Sequence, residues 1–325
     1  MQRYPALSAL CSVAILCASA GSGVNADGYP SRHVSIITQA AAGSGPDVIG
    51  RIIADRLTHS WGRQVLMLNR NGAAGLVAAQ AAAAAQPDGY TLYMPTSTAL
   101  VILPETQPNF PISFERDFVP IGLISESPMI IAVSPALGVN TLQEFIALAK
   151  RRPGEFFYAA NNRGSFPHLA GEFFRNQAAI ELTFVPYPGA AAGLNDIMGG
   201  RVSMIVEGPS ALSGALQAGS IKALAVTSTT RLPNFPDLPT VAETIPGFRV
   251  VAWFALMAPA GTPDSIVHKV SQDLQTILKH PEVNQKFETL GVYARPMSPR
   301  EAAEFIRSEQ RLWKPVIKQA GLVSQ

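Results

Sequence analysis

Short hydrophobic runs alternate with helix-forming and turn-forming stretches along most of this 325-residue chain. Many of the runs are bounded by glycine, proline, asparagine or aspartate, which is typical of buried strands. They lie at 35–39, 64–68, 90–94, 155–159, 182–185, 200–206 and 222–227. Strands that alternate with helices predict an α/β fold with mainly parallel sheets.

Helix signals fill the intervals between these runs. Residues 76–85 are mostly alanine, which favours a helix packed closely against a sheet. Ser298 and Glu301 have the spacing of a capping box. Thr262 before Pro263 predicts an N-cap followed by proline at the first helical position. The helix that follows is expected to bury one face, formed by Ile266, Val270, Leu274 and Ile277.

Two longer extended segments divide the chain. Residues 119–133 are apolar for longer than one strand requires, with Pro120 and Pro128 inside them, and residues 250–257 have the same character. We interpret both segments as crossovers between two lobes. The first predicted lobe combines 27–127 with 249–325, and the second is the inserted segment 128–248.

Segment 1–26 has the pattern of a secretory signal peptide. Arg3 precedes an uncharged stretch of apolar and small residues at 6–20, and small residues that suit signal peptidase end at Ala20 and at Ala26. The apolar run is too short to span a bilayer comfortably, which argues against a membrane anchor. We therefore expect a periplasmic protein that is cleaved after Ala26. Cleavage there removes both cysteines, so no disulfide is expected.

Charge argues against two classes of partner. The chain has 25 lysine and arginine residues against 23 aspartate and glutamate residues. Segment 1–26 contains one arginine and no acid, which leaves 24 against 23, a net charge of +1, after cleavage. Because no basic stripe and no run of like charge occurs, we expect neither a nucleic-acid partner nor electrostatic attachment to a membrane surface.

Two stretches share one design of strand, small-residue turn and helix. The turn at 40–47 and the turn at 160–167 each connect a predicted strand to a predicted helix. Such a turn leaves backbone N–H groups unpaired at the positive end of the helix dipole, which is a ready site for a carboxylate. The two copies fall in different predicted lobes, so we expect an anion to be held between them.

Catalytic and metal-binding patterns are weak. The five histidines form no HxxxH or HxxH pair, and the chain has no GxSxG, SxxK or Walker motif. Val48 stands where a dinucleotide-binding loop needs its third glycine. Ser165 and His168 are compatible with a catalytic pair, but their spacing favours a helix cap beside a packed side chain. We expect no metal and no cofactor.

A set of short stretches, each weak alone, becomes specific in its order along the whole mature chain. They are 29–32, Gly43 with Asp47, 69–70 with Gly75, 87–92, 164–165 with 168–172, 185–187 with Gly189, Asp196 with 199–200, 224–227, 238–241 with Glu243, and 258–263. In these stretches the chain resembles the periplasmic substrate-binding receptors of the tripartite tricarboxylate transporters, also called the Bordetella uptake gene family.

The resemblance implies a type II-like periplasmic binding protein, a Venus flytrap that holds a ligand carboxylate between its two strand-to-helix turns, partly through bridging waters. It also implies no catalysis, and delivery of a small organic carboxylate to the membrane subunits of a tripartite transporter. The candidate ligand-binding residues are Ala42, Gly43, Ser44, Asp47, Thr96, Ser97, Asn161, Arg163, Gly164, Ser165, Tyr187, Gly189, Ala190 and Glu207.

Some of these candidates have an ordinary structural alternative. Gly43 and Gly164 would let the backbone approach a ligand, or they simply form tight turns. Asp47 would orient a water or bind an amine, although an acid is also common in a first helical turn. Arg163 would clamp a second carboxylate with its planar fork, or it is a solvated loop residue. Glycine, serine, threonine and tyrosine in the remaining loops would line the cleft, or they cap helices and pack between lobes.

The chain departs from the family pattern at several positions around the turns, so no ligand is transferred from a relative. These positions are Gln39, Ala40, Ser44, Ala160, Asn162 and Glu207. Two other functions stay open at this point. One is a periplasmic enzyme that uses His168 with Ser165 or Glu207 on a small acid, and the other is a receptor that reports to a sensor kinase.

Overall fold

Two β-sheets organise the residues that the computed structural model describes, which are 28–107 and 110–323. The predicted signal peptide and its cleavage site lie outside the described residues. Sheet A consists of β1 (Val34–Thr38), β2 (Val65–Asn69), β3 (Thr91–Met94), β4 (Phe118–Pro128), β10 (Val251–Pro259) and β11 (Tyr293–Ala294). Sheet B consists of β5 (Ile130–Val133), β6 (Phe157–Asn161), β7 (Thr183–Tyr187), β8 (Met204–Glu207) and β9 (Lys222–Val226). The strand order is β11-β4-β10-β3-β1-β2 in sheet A and β7-β6-β8-β5-β9 in sheet B.

Helices cover both faces of each sheet. They are α1 (Gly45–Trp61), α2 (Leu76–Ala83), α3 (Leu103–Thr106), α4 (Phe114–Asp117), α5 (Leu142–Arg151), α6 (Phe166–Ala178), α7 (Ala190–Met198), α8 (Pro209–Gln217), α9 (Asp264–Leu278), α10 (Pro281–Thr289) and α11 (Pro299–Gln319). Within the described ranges, no helix combines the length and the apolar character needed to cross a membrane. The predicted α/β class is confirmed.

Both sheets are mixed. The sequence had predicted mainly parallel sheets, so this part of the prediction is wrong. In the described part of the chain, four neighbouring strand pairs are parallel and five are antiparallel. The parallel pairs belong to the strand-helix-strand units, whereas the antiparallel pairs all involve β4, β5 or β10. In sheet A, β10 and β11 run opposite to β1, β2, β3 and β4, and in sheet B β5 runs opposite to β6, β7, β8 and β9.

The crossovers separate the strands of the two sheets along the sequence. β4 ends at Pro128 in sheet A, and β5 begins at Ile130 in sheet B. The second crossover leads from sheet B back to sheet A. Val250 still contacts the end of sheet B, because its N–H donates to the carbonyl of Thr227, the residue after β9, and β10 of sheet A begins at Val251. We call sheet A with its helices lobe 1 and sheet B with its helices lobe 2. The predicted limits of the lobes, at 127–128 and 248–249, stay predictions.

The last helix of the chain fastens lobe 1 to lobe 2. Trp313 of α11 is buried, and its ring lies 5.0 Å from the ring of Phe166 and 5.8 Å from that of Phe173, both on α6. One hydrophobic core therefore runs through α6, α11 and both sheets. Each lobe has a further core on its other face, under α1, α9 and α10 in lobe 1 and under α7 and α8 in lobe 2.

Two predicted helix starts have different outcomes. The capping box of α11 is confirmed, with the Ser298 and Glu301 side chains each accepting the other's backbone N–H. The predicted cap at Thr262 is wrong, because Pro263 is the N-cap and Thr262 Oγ1 donates to the Pro259 carbonyl (2.8 Å). Pro263 keeps an extended ψ of 134°, so the helix begins only at the next residue. The buried face predicted for α9 is confirmed.

Candidate functional site

The first strand-to-helix turn connects β1 to α1 and is exposed to solvent over much of its length. Gly43 has a left-handed φ of 79°, which glycine adopts without steric cost. The Ser44 N–H donates to the Ala41 carbonyl (3.1 Å), and the Gly43 N–H donates to Asp47 Oδ2 (2.8 Å). The Ser44 hydroxyl also donates to the Ala41 carbonyl (2.7 Å), so its hydrogen is already committed inside the turn.

The second turn, between β6 and α6, repeats this geometry in lobe 2. Gly164 has a φ of 82°, and the Ser165 N–H donates to the Asn162 carbonyl (2.9 Å). The Gly164 N–H donates to His168 Nδ1 (3.2 Å), as the Gly43 N–H donates to Asp47. The dihedral angles of Ser165 (−69°, 161°) match those of Ser44 (−71°, 161°). The Ser165 hydroxyl differs, because it accepts the His168 N–H (3.3 Å) and keeps its own hydrogen.

The two turns also share a five-residue sequence pattern. Residues 43–47 and 164–168 both read glycine, serine, any residue, proline and a side chain with an acceptor atom. The serine is the N-cap, the proline is the second helical residue, and the acceptor serves the glycine N–H. The predicted pair of turns is therefore present in this structure as a pair of near-identical backbones.

The negative charge of Asp47 in the first turn is neutralised by Arg51 of the same helix. The buried carboxylate accepts hydrogen bonds from Gly43 N–H, Arg51 Nε (2.8 Å) and Asn69 Nδ2 (2.8 Å). Burial raises the pKa of Asp47, but these hydrogen bonds outweigh it and hold the pKa below its usual value. Through its bonds to the Gly43 backbone, Arg51 and Asn69, the Asp47 side chain supports the turn, and its predicted role toward a ligand stays a prediction.

His168 gives the second turn no charge of its own. Burial of the imidazole lowers its pKa to about 4, Arg163 and Arg175 act in the same direction, and Glu172 acts against them. The first turn of α6 has no acidic side chain beside the positive end of its helix dipole, whereas that of α1 has Asp47 paired with Arg51.

The other lobe 1 candidates lie beyond the carboxyl end of β3. Thr96 Oγ1 accepts from Gln39 Nε2 (2.8 Å), which brings a side chain after β1 to one after β3. Ser97 is buried, and its hydroxyl accepts the Trp253 N–H (3.4 Å). Ala42 is exposed at the tip of the first turn. Thr96 and Ala42 thus border open space, whereas Ser97 ties β10 to the loop.

The lobe 2 candidates gather at the carboxyl ends of β6, β7 and β8. Asn161 is paired with Tyr187 in the parallel register of β6 and β7. The Tyr187 hydroxyl donates to Asp196 Oδ2 (2.6 Å) on α7, which directs it to that helix. Gly189 is the N-cap of α7, and Ala190 is its first residue. Three helix N-termini, those of α6, α7 and α8, therefore begin at one edge of sheet B.

Arg163 points to the end of the last helix. Its Nη2 donates to the carbonyl of Ala320 (2.8 Å), which is the C-cap of α11. A cation is favourable at a helix C-terminus, because the dipole is negative there. Arg163 is therefore already engaged in a contact between the lobes, and the structure offers no support for its predicted clamp on a second carboxylate.

The His168 side chain does not form the catalytic pair that the sequence left open. Its Nδ1 accepts from a backbone N–H, and its described hydrogen bonds include none to the Ser165 hydroxyl or to Glu207. The neutral ring lies against Phe184, with centroids 4.0 Å apart. Among the described residues, no group of three or more histidine, cysteine, aspartate or glutamate side chains is placed to hold a metal ion.

Two α/β lobes joined by two crossovers, with helix N-termini collected at the sheet edges, define the class of two-lobed periplasmic solute-binding receptors. Residues 49–322 match the model of the tripartite tricarboxylate transporter family receptor. The chain is 32% identical to protein BugT of Bordetella pertussis over 317 residues, which cover 97% of both proteins. The chain belongs to the tripartite tricarboxylate transporter receptor family.

Solved structures agree with this assignment. The R. palustris protein Rpa4515 with adipate has a TM-score of 0.75 and 32% sequence identity, and the match covers 91% of this chain and 99% of that one. MatC (Rpa3494) from Rhodopseudomonas palustris with bound malate has a TM-score of 0.70 and 27% identity, covering 89% and 100%. The predicted family and the type II-like two-lobed fold are confirmed.

Proposed function

We propose that this protein is an extracytoplasmic receptor that captures a small organic carboxylate between its lobes and delivers it to a tripartite membrane transporter. The observation that carries the proposal is the repeated glycine-serine turn at a helix N-terminus in each lobe. Relatives with adipate and with malate supply independent support for a carboxylate ligand. On this proposal the protein does no chemistry on its ligand, and segment 1–26 is an export signal cleaved after Ala26.

The proposed ligand site lies between the two turns and the strand ends beside them. Backbone N–H groups at a helix N-terminus recognise negative charge and geometry, but little else of a ligand. The N–H groups of Ala42, Gly45, Arg163 and Phe166 and the Ser165 hydroxyl have no described acceptor, so they are among the donors available to a carboxylate. Gly43 and Gly164 contribute differently, because their own N–H groups are already bonded. Because these two glycines have no side chain, a ligand carboxylate can approach the backbone of the turn closely.

A thermal-shift screen with the mature protein tests the proposal. The panel consists of mono-, di- and tricarboxylates, aromatic acids and amino acids, with neutral sugars as the comparison. A ligand at a hundredfold excess over its dissociation constant stabilises the folded state by about 2.7 kcal/mol, which gives a measurable rise in Tm. If sugars raise the Tm and no acid does, the carboxylate proposal fails.

A pair of glycine variants tests whether the second turn is the binding element. Gly164→Val places a branched side chain at the mouth of the turn, where an added Cβ meets only Leu322 at 4.0 Å. Gly138→Val is the matched control, because Gly138 also has a left-handed φ (67°) and open space around it, but lies away from the strand ends. We expect Gly164→Val to weaken the binding of every acid and Gly138→Val to leave the binding of all of them unchanged.

A further inference from the structure

Asn161 and Glu207 form a pair of side chains at the centre of the lobe 2 strand ends. In the parallel register of β6 and β8, Ala159 lies opposite Ile205, so two residues further along Asn161 lies opposite Glu207. Each is the last residue of its strand. The pair therefore lies between the N-termini of α6 and α8, beside the Gly164 turn.

The hydrogen bonds that these side chains make leave acceptor atoms unused. Glu207 Oε1 accepts from the Gly208 N–H (2.9 Å), and the neighbouring Asn161 side chain acts to lower the pKa of Glu207. Asn161 Oδ1 is buried and has no hydrogen-bond partner among the described residues. No lysine or arginine in that part of the chain forms an ion pair with Glu207.

A buried acceptor without a donor is costly, so Asn161 Oδ1 favours a donor from outside the protein, such as water or a ligand group. Burial raises the pKa of Glu207, and the Gly208 N–H and the Asn161 side chain oppose this only in part. A positive or hydrogen-bonding group placed against Glu207 relieves that penalty. A second carboxylate placed there increases it, because like charges repel.

We propose that the natural ligand carries a hydrogen-bond donor in addition to its carboxylate, either an ammonium or a hydroxyl group, and that Glu207 and Asn161 accept it. The inference rests on the proposed function, since it concerns the same cleft. It narrows the ligand class to amino acids and hydroxy acids. It also assigns Glu207 as the specificity-determining residue, and Arg163, which is engaged with α11, plays no part in it.

Isothermal titration with matched acids tests the inference. The panel uses three carbon skeletons: a three-carbon chain, a four-carbon chain and a phenyl-substituted chain. For each skeleton we measure the unsubstituted acid, its hydroxy derivative, its amino derivative and the corresponding dicarboxylate. We expect a hydroxy or amino derivative to bind at least about tenfold tighter than the unsubstituted acid and the dicarboxylate of its skeleton, as one added hydrogen bond to a charged group predicts. Comparison of the amino derivative with the hydroxy derivative shows whether the ligand's donor is an ammonium or a hydroxyl group.

Two outcomes of this titration separate the inference from the proposed function. If an unsubstituted acid or a dicarboxylate binds most tightly, the inference is overturned while the carboxylate receptor stands. If no acid binds and a neutral solute does, the proposed function fails and the inference fails with it.

Glu207→Gln isolates the side chain. The substitution keeps the size of the side chain and removes its charge, so we expect a loss of roughly 10- to 100-fold for the donor-bearing ligand only. The unsubstituted acid should bind as before, and the dicarboxylate should bind more tightly. Glu181→Gln is the control, because Glu181 is an exposed acid of the same lobe that precedes β7 at the opposite edge of the sheet.

A second variant keeps the test decisive if Glu207→Gln folds poorly, as judged by the Tm of the ligand-free protein. Glu207→Asp retains the negative charge but places it one methylene further from the ligand. Donor-bearing ligands should therefore still bind more tightly than the unsubstituted acid, but by a smaller factor than in the wild type. Equal weakening of all acids by either variant, or no change in their ranking, overturns the assignment of Glu207.

Discussion

At both strand-to-helix turns, the side chain four residues after the glycine accepts the glycine's own N–H. In lobe 1 this acceptor is the charged carboxylate of Asp47, and in lobe 2 it is the neutral imidazole of His168. The same backbone is thus stabilised with a fixed negative charge in one lobe and without charge in the other. Because Arg51 balances the charge of Asp47, the two turns differ in how the acceptor is neutralised, and we expect them to differ in their attraction for a carboxylate.

The acceptor role of His168 makes a prediction about pH. A protonated imidazole carries hydrogen on both nitrogens, so Nδ1 can no longer accept the Gly164 N–H. The pKa of His168 in the folded protein, about 4, lies below the usual value of 6.5. The unfolded chain therefore binds the proton first as pH falls, and this contribution to stability, complete above pH 6.5, is lost between about 6.5 and 4. A shift of this size corresponds to about 3 kcal/mol.

Denaturant unfolding at a series of pH values between 7.5 and 4 measures this loss. His168→Asn offers an amide oxygen as the acceptor without a titrating ring, so its unfolding free energy should fall less over this range than that of the wild type. His268→Asn replaces an exposed histidine and should follow the wild type. A His168→Asn protein with the same decline as the wild type would show that His168 does not titrate in this way.

Among the elements, α11 has a role that its position at the end of the chain does not reveal. Its Glu309 is buried and accepts from Arg249 Nη1 (2.7 Å), Trp253 Nε1 (3.0 Å) and Trp313 Nε1 (3.3 Å). Arg249 Nη2 also donates to Glu126 on β4 (2.8 Å). One carboxylate thus joins the last helix to the return crossover, and through Arg249 to the outgoing one.

We expect Glu309→Ala to destabilise the protein by about 3–5 kcal/mol, because it leaves two buried indole N–H groups without their acceptor and removes one of the two carboxylate partners of Arg249. Glu304→Ala is the control on the same helix, since Glu304 is exposed, and surface changes of this kind usually stay within about 0.5 kcal/mol. Denaturant unfolding at pH 7 measures both. Similar small losses for the two variants would contradict the assignment of Glu309 as a central hydrogen-bond acceptor.

The sequence predicted elements far better than it predicted their contacts. Hydrophobic runs gave the strands and the two crossovers, because burial of a strand depends on local composition. The reversed direction of β5, β10 and β11 was missed, since it depends on how the chain passes between the sheets. Likewise, a glycine-rich turn is visible in the sequence, but the engagement of Arg163 with Ala320 is not, because those residues are 157 positions apart.

At the scale of the whole molecule, two kinds of connection hold the lobes. The crossovers pass between the sheets at 128–130 and 249–251, and α11 packs its buried Trp313 against α6 of lobe 2. No hydrogen bond in the described part of the chain joins the Gly43 turn to the Gly164 turn. Closure by rotation of the lobes about the crossovers would therefore break no hydrogen bond between the turns, but it would have to preserve the packing of α11 on α6.

We therefore expect the lobes to close on a bound acid, because only a closed form lets donors of both turns contact one carboxylate. A compact chain of about 300 residues has a radius of gyration of about 19 Å, and an open two-lobed form exceeds this value. Small-angle scattering should give a smaller radius at saturating ligand than without it. The Gly164→Val variant, mixed with the same acid at a concentration where it stays unbound, should keep the radius of the ligand-free protein. If the wild-type curve does not change at saturation, the lobes are rigid or already closed, and recognition then depends on the preformed turns alone.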